Sequence, residues 1–238
     1  MRILSIDSSS KVATAAIVNE DGLIAEYTLN NKAEHSILIM EMIDNLLKSS
    51  NLTISDIDGF AVSKGPGSFT GLRIGMATIK GLSFGSNKPY ISISTLDALA
   101  YSLLNFDGII CPIMDALRDS VYTGLYTNNN GTLETLLEPS ALDLEELITL
   151  LKDKNEKVIF TGDGLVKHKE YLKNNLENAC FPPNHLSVIR ASSLAELGLI
   201  ELTKGISDDP NSSPLYLKKP QAQRELESRL ALKNENSL

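Results

Sequence analysis

The sequence predicts an α/β protein of two lobes, each a mixed sheet flanked by helices. Three observations predict it. The first thirty residues hold three strand-like runs joined by short polar turns, the pattern of an antiparallel meander. Helical and strand patterns then alternate, as in a layered α/β domain. Around Phe106-Asp107-Gly108 the series restarts, as a degenerate internal duplication would. At 238 residues and 42% hydrophobic, the chain can bury a core.

In chain order, strands are expected over Arg2–Asp7, Lys11–Val18 and Leu23–Leu29, broken at Ser8-Ser9-Ser10 and Asn19-Glu20-Asp21-Gly22. A helix follows over Glu34–Ser50, with Ile39, Met42, Ile43 and Leu46 on one stripe and Leu38, Met40 and Leu47 widening it. Gly59–Ser63 is a short buried strand. Gly65-Pro66-Gly67 suits a type II turn, proline fixing one φ and glycine accepting a positive one. Ser68 then caps a helix running to about Phe84. Tyr90–Ser94 is a strand and Thr95–Leu104 a helix. In the second series Ile109–Met114, Val121–Thr127 and a run after Asn128-Asn129-Asn130-Gly131 are strands. Leu144–Leu151 and Val166–Leu176 are helical, with a strand over Lys157–Thr161 between them. Ala191–Lys204 is the last helix, with Ser192 or Ser193 as its cap. The expected division is a first lobe over 1–107, an abbreviated second lobe over 108–206 and an irregular Pro/Ser/Asp-rich tail over 207–238.

Charge narrows the function. The net charge is −8, and neither half is basic: residues 1–110 carry 8 basic and 11 acidic side chains, the rest 14 and 19. Gripping nucleic acid alone needs clustered Lys and Arg, so that role is not expected. Cys111 and Cys180 are far apart and in no CxxC pattern, so packed thiols are expected rather than a disulfide framework. The chain opens directly on a strand with no signal-peptide pattern, and no apolar run reaches the ~18 residues of a membrane span. A cytoplasmic location is the expectation.

The most informative stretch is Gly65-Pro66-Gly67-Ser68-Phe69-Thr70-Gly71-Leu72-Arg73-Ile74-Gly75. Gly71 and Gly75 inside a helix cost about 1 kcal/mol each against alanine, so something is expected to approach that backbone closely. A phosphate, the protein's own sheet or another protein would each do so. A P-loop would need Gly-Lys-Ser/Thr where Gly71-Leu72 stands, and the glycine spacing is GxGxxxG rather than a dinucleotide GxGxxG. Gly71, Gly75, Thr78 and Leu82 line one side of this helix, and Thr70, Ile74, Ala77 and Gly81 another. Such a helix and its apolar neighbour could pair with two from a partner as a four-helix bundle, a core role being the plainer alternative. Asp7, with Ser8, ends the first strand and Asp115 ends its counterpart. Two carboxylates facing across lobes could hold Mg-nucleotide, or both could be turn residues. No HxxxH, HExxH or GxSxG occurs, so no metal site and no nucleophile–base pair of a peptidase is expected.

Ile3-Leu4-Ser5-Ile6-Asp7-Ser8-Ser9, His35-Ser36, the eleven-residue glycine stretch, Asp115-Ala116-Leu117-Arg118, Val121-Tyr122, Gly162-Asp163-Gly164 and Tyr216-Leu217 together resemble the bacterial TsaB (YeaZ) family. The resemblance covers nearly the whole chain. It implies the two-lobed actin-like ATPase fold, ribonuclease H-like, with mixed five-stranded sheets. It also implies a non-catalytic scaffold and activator for threonylcarbamoyl transfer to the anticodon-adjacent adenosine of tRNA. The implied partners are the catalytic paralogue TsaD, joined as a heterodimer through a four-helix bundle, the small ATPase TsaE, and tRNA through the complex. Mapped by position, the expected partner interface is His35, Ile37, Met40, Glu41, Gly71, Ile74, Gly75 and Thr78. No cofactor is required, while ATP or ADP with Mg2+ at the complex interface is left open, with Asp7, Ser8 and Asp115 as the residues that would meet it. A homodimer of the chain alone is the other expected assembly. The alternative is an ATP-dependent phosphotransferase or ATPase using Asp7 and Asp115.

Overall fold

In a computed structural model, which describes residues 1–30, 35–116 and 120–218, the two series form two five-stranded sheets of the same topology. The first holds β1 (Ile3–Asp7), β2 (Val12–Asn19), β3 (Gly22–Asn30), β4 (Gly59–Gly65) and β5 (Tyr90–Ser94), in the order β3-β2-β1-β4-β5. The second holds β6 (Ile109–Asp115), β7 (Ser120–Asn129), β8 (Thr132–Asp143), β9 (Val158–Thr161) and β10 (Ala179–Cys180), in the order β8-β7-β6-β9-β10. The meanders pair antiparallel, and β1–β4–β5 and β6–β9–β10 pair parallel. The duplication expected from the sequence is therefore present strand for strand. Its fifth strand is only two residues long in the second copy.

Helices fill three layers. On one face of the first sheet lie α1 (His35–Ser49) and α2 (Phe69–Ser86), burying Ile39, Met42, Ile43, Leu46, Met76 and Ile79 against Leu4, Ile6, Phe60 and Val62. Burying one such side chain contributes about 1.5–3 kcal/mol, which is what holds the amphipathic helices to the sheet. Between the sheets lie α3 (Thr95–Tyr101) and α6 (Ala191–Thr203), in one cluster that joins Ile3, Ile91 and Leu99 to Ile110, Met114 and Tyr126. The Tyr126 hydroxyl donates to Asp97 across this layer (2.8 Å), and burial pushes its pKa up. Outside the second sheet lie α4 (Leu144–Lys154) and α5 (Leu165–Asn175) over Cys111, Val121 and Phe160. Cys111 is a packed thiol, its pKa pushed to about 12 by burial.

Three local expectations change. α6 is followed in sequence by the tail, yet it packs on β1, β2 and β4 of the first sheet, where a Cβ at Gly198 would stand 2.7 Å from Ala61 Cβ. Its N-cap is Arg190 with no side-chain cap bond, because the Ser192 hydroxyl and amide are both given to Glu26 Oε1. Gly65-Pro66-Gly67 is no type II turn: the Gly65–Pro66 peptide is cis and Gly67 has φ +157°, against about +80° for type II. Of the expected irregular tail, residues 207–218 are described, without regular structure but lying against the first lobe, with Lys218 reaching the second, and 219–238 fall outside the described residues.

Candidate functional site

The glycine stretch meets its own protein. Ser68 caps α2, its hydroxyl accepting from Gly71 N (3.2 Å) while its carbonyl accepts from Leu72 N (2.9 Å). Ser68 N donates to Ser9 O in the β1–β2 loop (2.6 Å), and Ser8 Oγ donates to Gly71 O (2.8 Å). A Cβ at Gly71 would stand 1.8 Å from Ser8 O, one at Gly67 2.4 Å from Ser9 O, and one at Gly75 2.8 Å from Ser8 Oγ. The close approach that the helix glycines imply is thus made by the chain's own loop. Gly71 and Gly75 are buried beneath it, so they are corrected from interface to interior residues. The loop engages the amide of Ser68, and Ser68 in turn engages those of Gly71 and Leu72, at the helix N-terminus where an anion would otherwise be attracted.

Asp7 lies at the end of β1, fully buried, with Oδ1 accepting from Ser9 N (3.2 Å) and Oδ2 without a hydrogen-bond partner among the described residues. Burial pushes its pKa up to about 6, with Ser63 and Ser9 only partly offsetting this. The expected partner across the lobes was Asp115. The second-lobe carboxylate whose charge reaches Asp7 is instead Asp163, itself raised by burial and then by the charge of Asp115, whose amide donates to Asp163 Oδ1 (3.3 Å). Asp115 is exposed. Among the described residues no group of three His, Cys, Asp or Glu side chains is placed to hold a metal ion.

The buried Asp7 has a consequence for pH. A raised folded-state pKa means that the ionised form destabilises the fold: the associated stability is full below the unfolded pKa near 3.8 and is lost as pH rises through about 6. Asp7→Asn is expected to stabilise the chain by roughly 3 kcal/mol at pH 7.5, and the gain is expected to vanish by pH 4. Urea denaturation of both proteins at the two pH values measures this. Equal stability at pH 7.5 would refute it.

The other flank of α2 is bare. Thr70, Ala77, Gly81, Phe84 and Gly85 are exposed, Phe84 by 92%, and Ile74 and Thr78 are half-buried beside them. Cβ atoms at Gly81 and Gly85 would meet nothing within 4 Å, unlike those at Gly71 and Gly75. Both glycines line an open hollow of about 530 Å³ with Ile54, Ser55, Leu82 and Lys88, whose ammonium is tied to the Ile54, Ser55 and Ile57 carbonyls. On α1, Met40 is 51% exposed and Glu41 is exposed, while the side chains of His35 and Ile37 lie outside the described residues. The structure therefore puts Met40, Glu41, Ile74 and Thr78 on or beside an outward surface. Phe84 and Gly85 were missed by sequence reasoning, although they extend the Thr70–Ile74–Ala77–Gly81 line by one turn. Asp163 was missed as a cleft residue; its place after β9, matching Pro66 after β4, is a signal that the duplication carried.

Comparison with known proteins agrees with this architecture. The family described as "TsaD: tRNA N6-adenosine threonylcarbamoyltransferase" matches residues 22–236. The TsaB protein of Bacillus subtilis (strain 168) is 38% identical over 176 residues, covering 74% of this chain and 77% of that protein. A tRNA N6-adenosine threonylcarbamoyltransferase of Kosmotoga olearia is 31% identical over 140 residues, 52% of this chain and 42% of that protein. Among solved structures, an uncharacterized protein with similarity to peptidase YEAZ from Pseudomonas aeruginosa superposes with a TM-score of 0.78 at 22% identity, covering 91% of this chain and 99% of that one. The fold is the two-lobed actin-like ATPase fold. With duplicated sheets, a glycine-rich turn packed by its own loop, and matched relatives over most of its length, the chain belongs to the TsaB (YeaZ) family of tRNA threonylcarbamoyladenosine biosynthesis proteins.

Proposed function

We propose that this chain is a non-catalytic scaffold and activator subunit in tRNA threonylcarbamoyladenosine biosynthesis. It docks a TsaD-type transferase on the α1/α2 flank as a four-helix bundle, with TsaE joining the pair and tRNA met through the complex. What supports the reading is that α2 has its inner glycines Gly71 and Gly75 covered by Ser8 and its outer glycines Gly81 and Gly85 facing open space. A glycine in a helix costs about 1 kcal/mol, which close approach can repay, and among the described residues nothing comes within 4 Å of a Cβ at Gly81 or Gly85. The cytoplasmic location expected from the sequence is part of this proposal; among the described residues no helix is long and apolar enough to cross a membrane.

The test is reconstitution. The chain, a TsaD, a TsaE, threonylcarbamoyl-AMP and tRNA are combined, and modified adenosine is measured with each component omitted in turn. Omitting this chain is expected to lower the yield at least tenfold. Full modification without it would overturn the scaffold role. The second reading, an ATPase or phosphotransferase, has in its favour the buried Asp7 Oδ2 lacking a hydrogen-bond partner. Against it stand the engaged amides of Ser68, Gly71 and Leu72. Single-turnover ATP hydrolysis by the isolated chain, abolished by Asp7→Asn, would favour it.

A further inference from the structure

Residues 207–218 have no regular structure, yet nearly every polar contact they make is to a distant part of the chain. Asp208 N donates to Tyr90 O (2.9 Å), and Asp208 Oδ2 accepts from Ser92 N (3.1 Å) and from the Ser92 hydroxyl, covering the free edge of β5. The Tyr90 hydroxyl donates to Asp209 O (2.8 Å), and Lys80 on α2 donates to the carbonyls of Pro210 and Ser212. Leu215 N donates to Lys64 O at the end of β4 (2.7 Å), and Leu215 O sits 2.6 Å from where a Gly65 Cβ would be. Tyr216 packs its ring 4.8 Å from Phe69, and its hydroxyl accepts from Arg73 Nε (3.1 Å), while the Arg73 guanidinium lies 3.9 Å over the Phe69 ring. Lys218 then donates to Ala116 O at the end of β6 (3.1 Å) and stands 5.8 Å from the Tyr122 ring.

The segment thus touches β5, α2 and β4 of the first lobe and then β6 and β7 of the second. It does so with little burial: Leu215 and Tyr216 stay more than a third exposed, and residues 203–207 leading into it are all exposed. Stability is not uniform over a fold. A segment held by exposed and part-buried hydrogen bonds and one tilted ring contact, with no fully buried side chain, opens at far lower free energy than a buried strand such as β1. Opening it costs none of the three hydrophobic clusters, because no residue of 207–218 belongs to one.

We propose that residues 207–218 form a detachable latch, a strap that ties the second lobe to β5, β4 and the first turn of α2 and opens without unfolding either lobe. Latched, it fixes Phe69 and Arg73 and shields the β5 edge. Unlatched, it frees both. The proposal concerns the isolated chain and does not depend on any partner.

Native-state hydrogen exchange on the full chain tests it. In the unmodified protein the amides of Asp208, Leu215 and Ser92 are expected to exchange through a local opening at least ~100-fold more often than the amides of β1. Exchange of all of them only by global unfolding would overturn the latch. In Asp208→Ala/Tyr216→Ala, the amides of residues 71–75 and 90–93 are expected to exchange about tenfold faster with β1 and β2 unchanged. Tyr216→Phe, which keeps the ring stack and loses the Arg73 bond, is expected to fall between. No change at α2, or equal acceleration across both sheets, would count against the proposal.

Discussion

Gly81→Leu is expected to raise the melting temperature of the isolated chain and, if the proposed docking holds, to abolish capture of a TsaD-type transferase. The two effects have separate physical causes. Residue 81 is exposed in α2, and a Cβ built there meets nothing within 4 Å. Replacing glycine by leucine is therefore expected to cost little, since the side chain can extend into solvent, and to recover about 0.8 kcal/mol of helix propensity, worth about 2–3 °C in a chain of this length. Against a partner helix, the same side chain holds the two backbones apart. Helices approach most closely where small residues face each other, and the interface beyond the obstruction is lost with it. A fall in affinity of at least ~100-fold is expected, equivalent to about 2.7 kcal/mol. Calorimetry of the isolated protein and titration against purified TsaD measure the two effects independently. A stabilised variant that still binds normally would remove Gly81 from the docking surface, and with it the proposed use of the bare flank.

The opposite signs expected for two sets of glycines in one helix bear on what a sequence discloses. The 3.6-residue period places Gly71 and Gly75 on one side and Gly81 near another, and that much was legible. Which side turns inward was not, because the filling atoms belong to Ser8 and Ser9, some sixty residues earlier. The two antiparallel meanders were legible, while the order of the parallel strands beside them was not. Short turns force the meanders, and the restart at Phe106-Asp107-Gly108 repeats them. The placement of α6 was not, since its apolar residues suit either sheet and the deciding contacts are the Glu26 carboxylate on Ser192 and the Ala191 carbonyl accepting from Ser5 Oγ. Asp163 was picked out only within Gly162-Asp163-Gly164 and not as a neighbour of Asp7, because its effect on Asp7 is made across lobes, by charge rather than by spacing. The strap escaped because a Pro/Ser/Asp-rich stretch reads as irregular whether it floats or is anchored. Contacts such as Tyr216 on Phe69, Lys80 on the Pro210 carbonyl and Asp208 on Ser92 distinguish the two.

Gly71→Ala is expected to be the most damaging single methyl in the molecule. The atom a Cβ would strike is the Ser8 carbonyl oxygen at 1.8 Å, a backbone atom in a loop whose positions are fixed from both ends. Asp7 is the last residue of β1, and Ser9 O is held by Ser68 N. Restoring ordinary contact requires the loop to retreat by more than 1 Å. That breaks the Ser8 Oγ–Gly71 O and Ser68 N–Ser9 O bonds together and leaves buried polar groups unmet. A loss of about 4 kcal/mol is expected even after the gain in helix propensity, lowering the melting temperature by about 10 °C. Gly75→Ala meets a softer obstacle, a serine hydroxyl at 2.8 Å that can rotate and a Val62 methyl at 3.4 Å, so about 1 kcal/mol is expected there. Thermal melts of alanine variants at 71, 75 and 81 should thus run from strongly destabilised through mildly destabilised to stabilised along one helix. Equal melts at 71 and 81 would mean that the Ser8–Ser9 loop does not press on α2, leaving the N-terminus of that helix open to an anion and restoring the nucleotide reading over the scaffold.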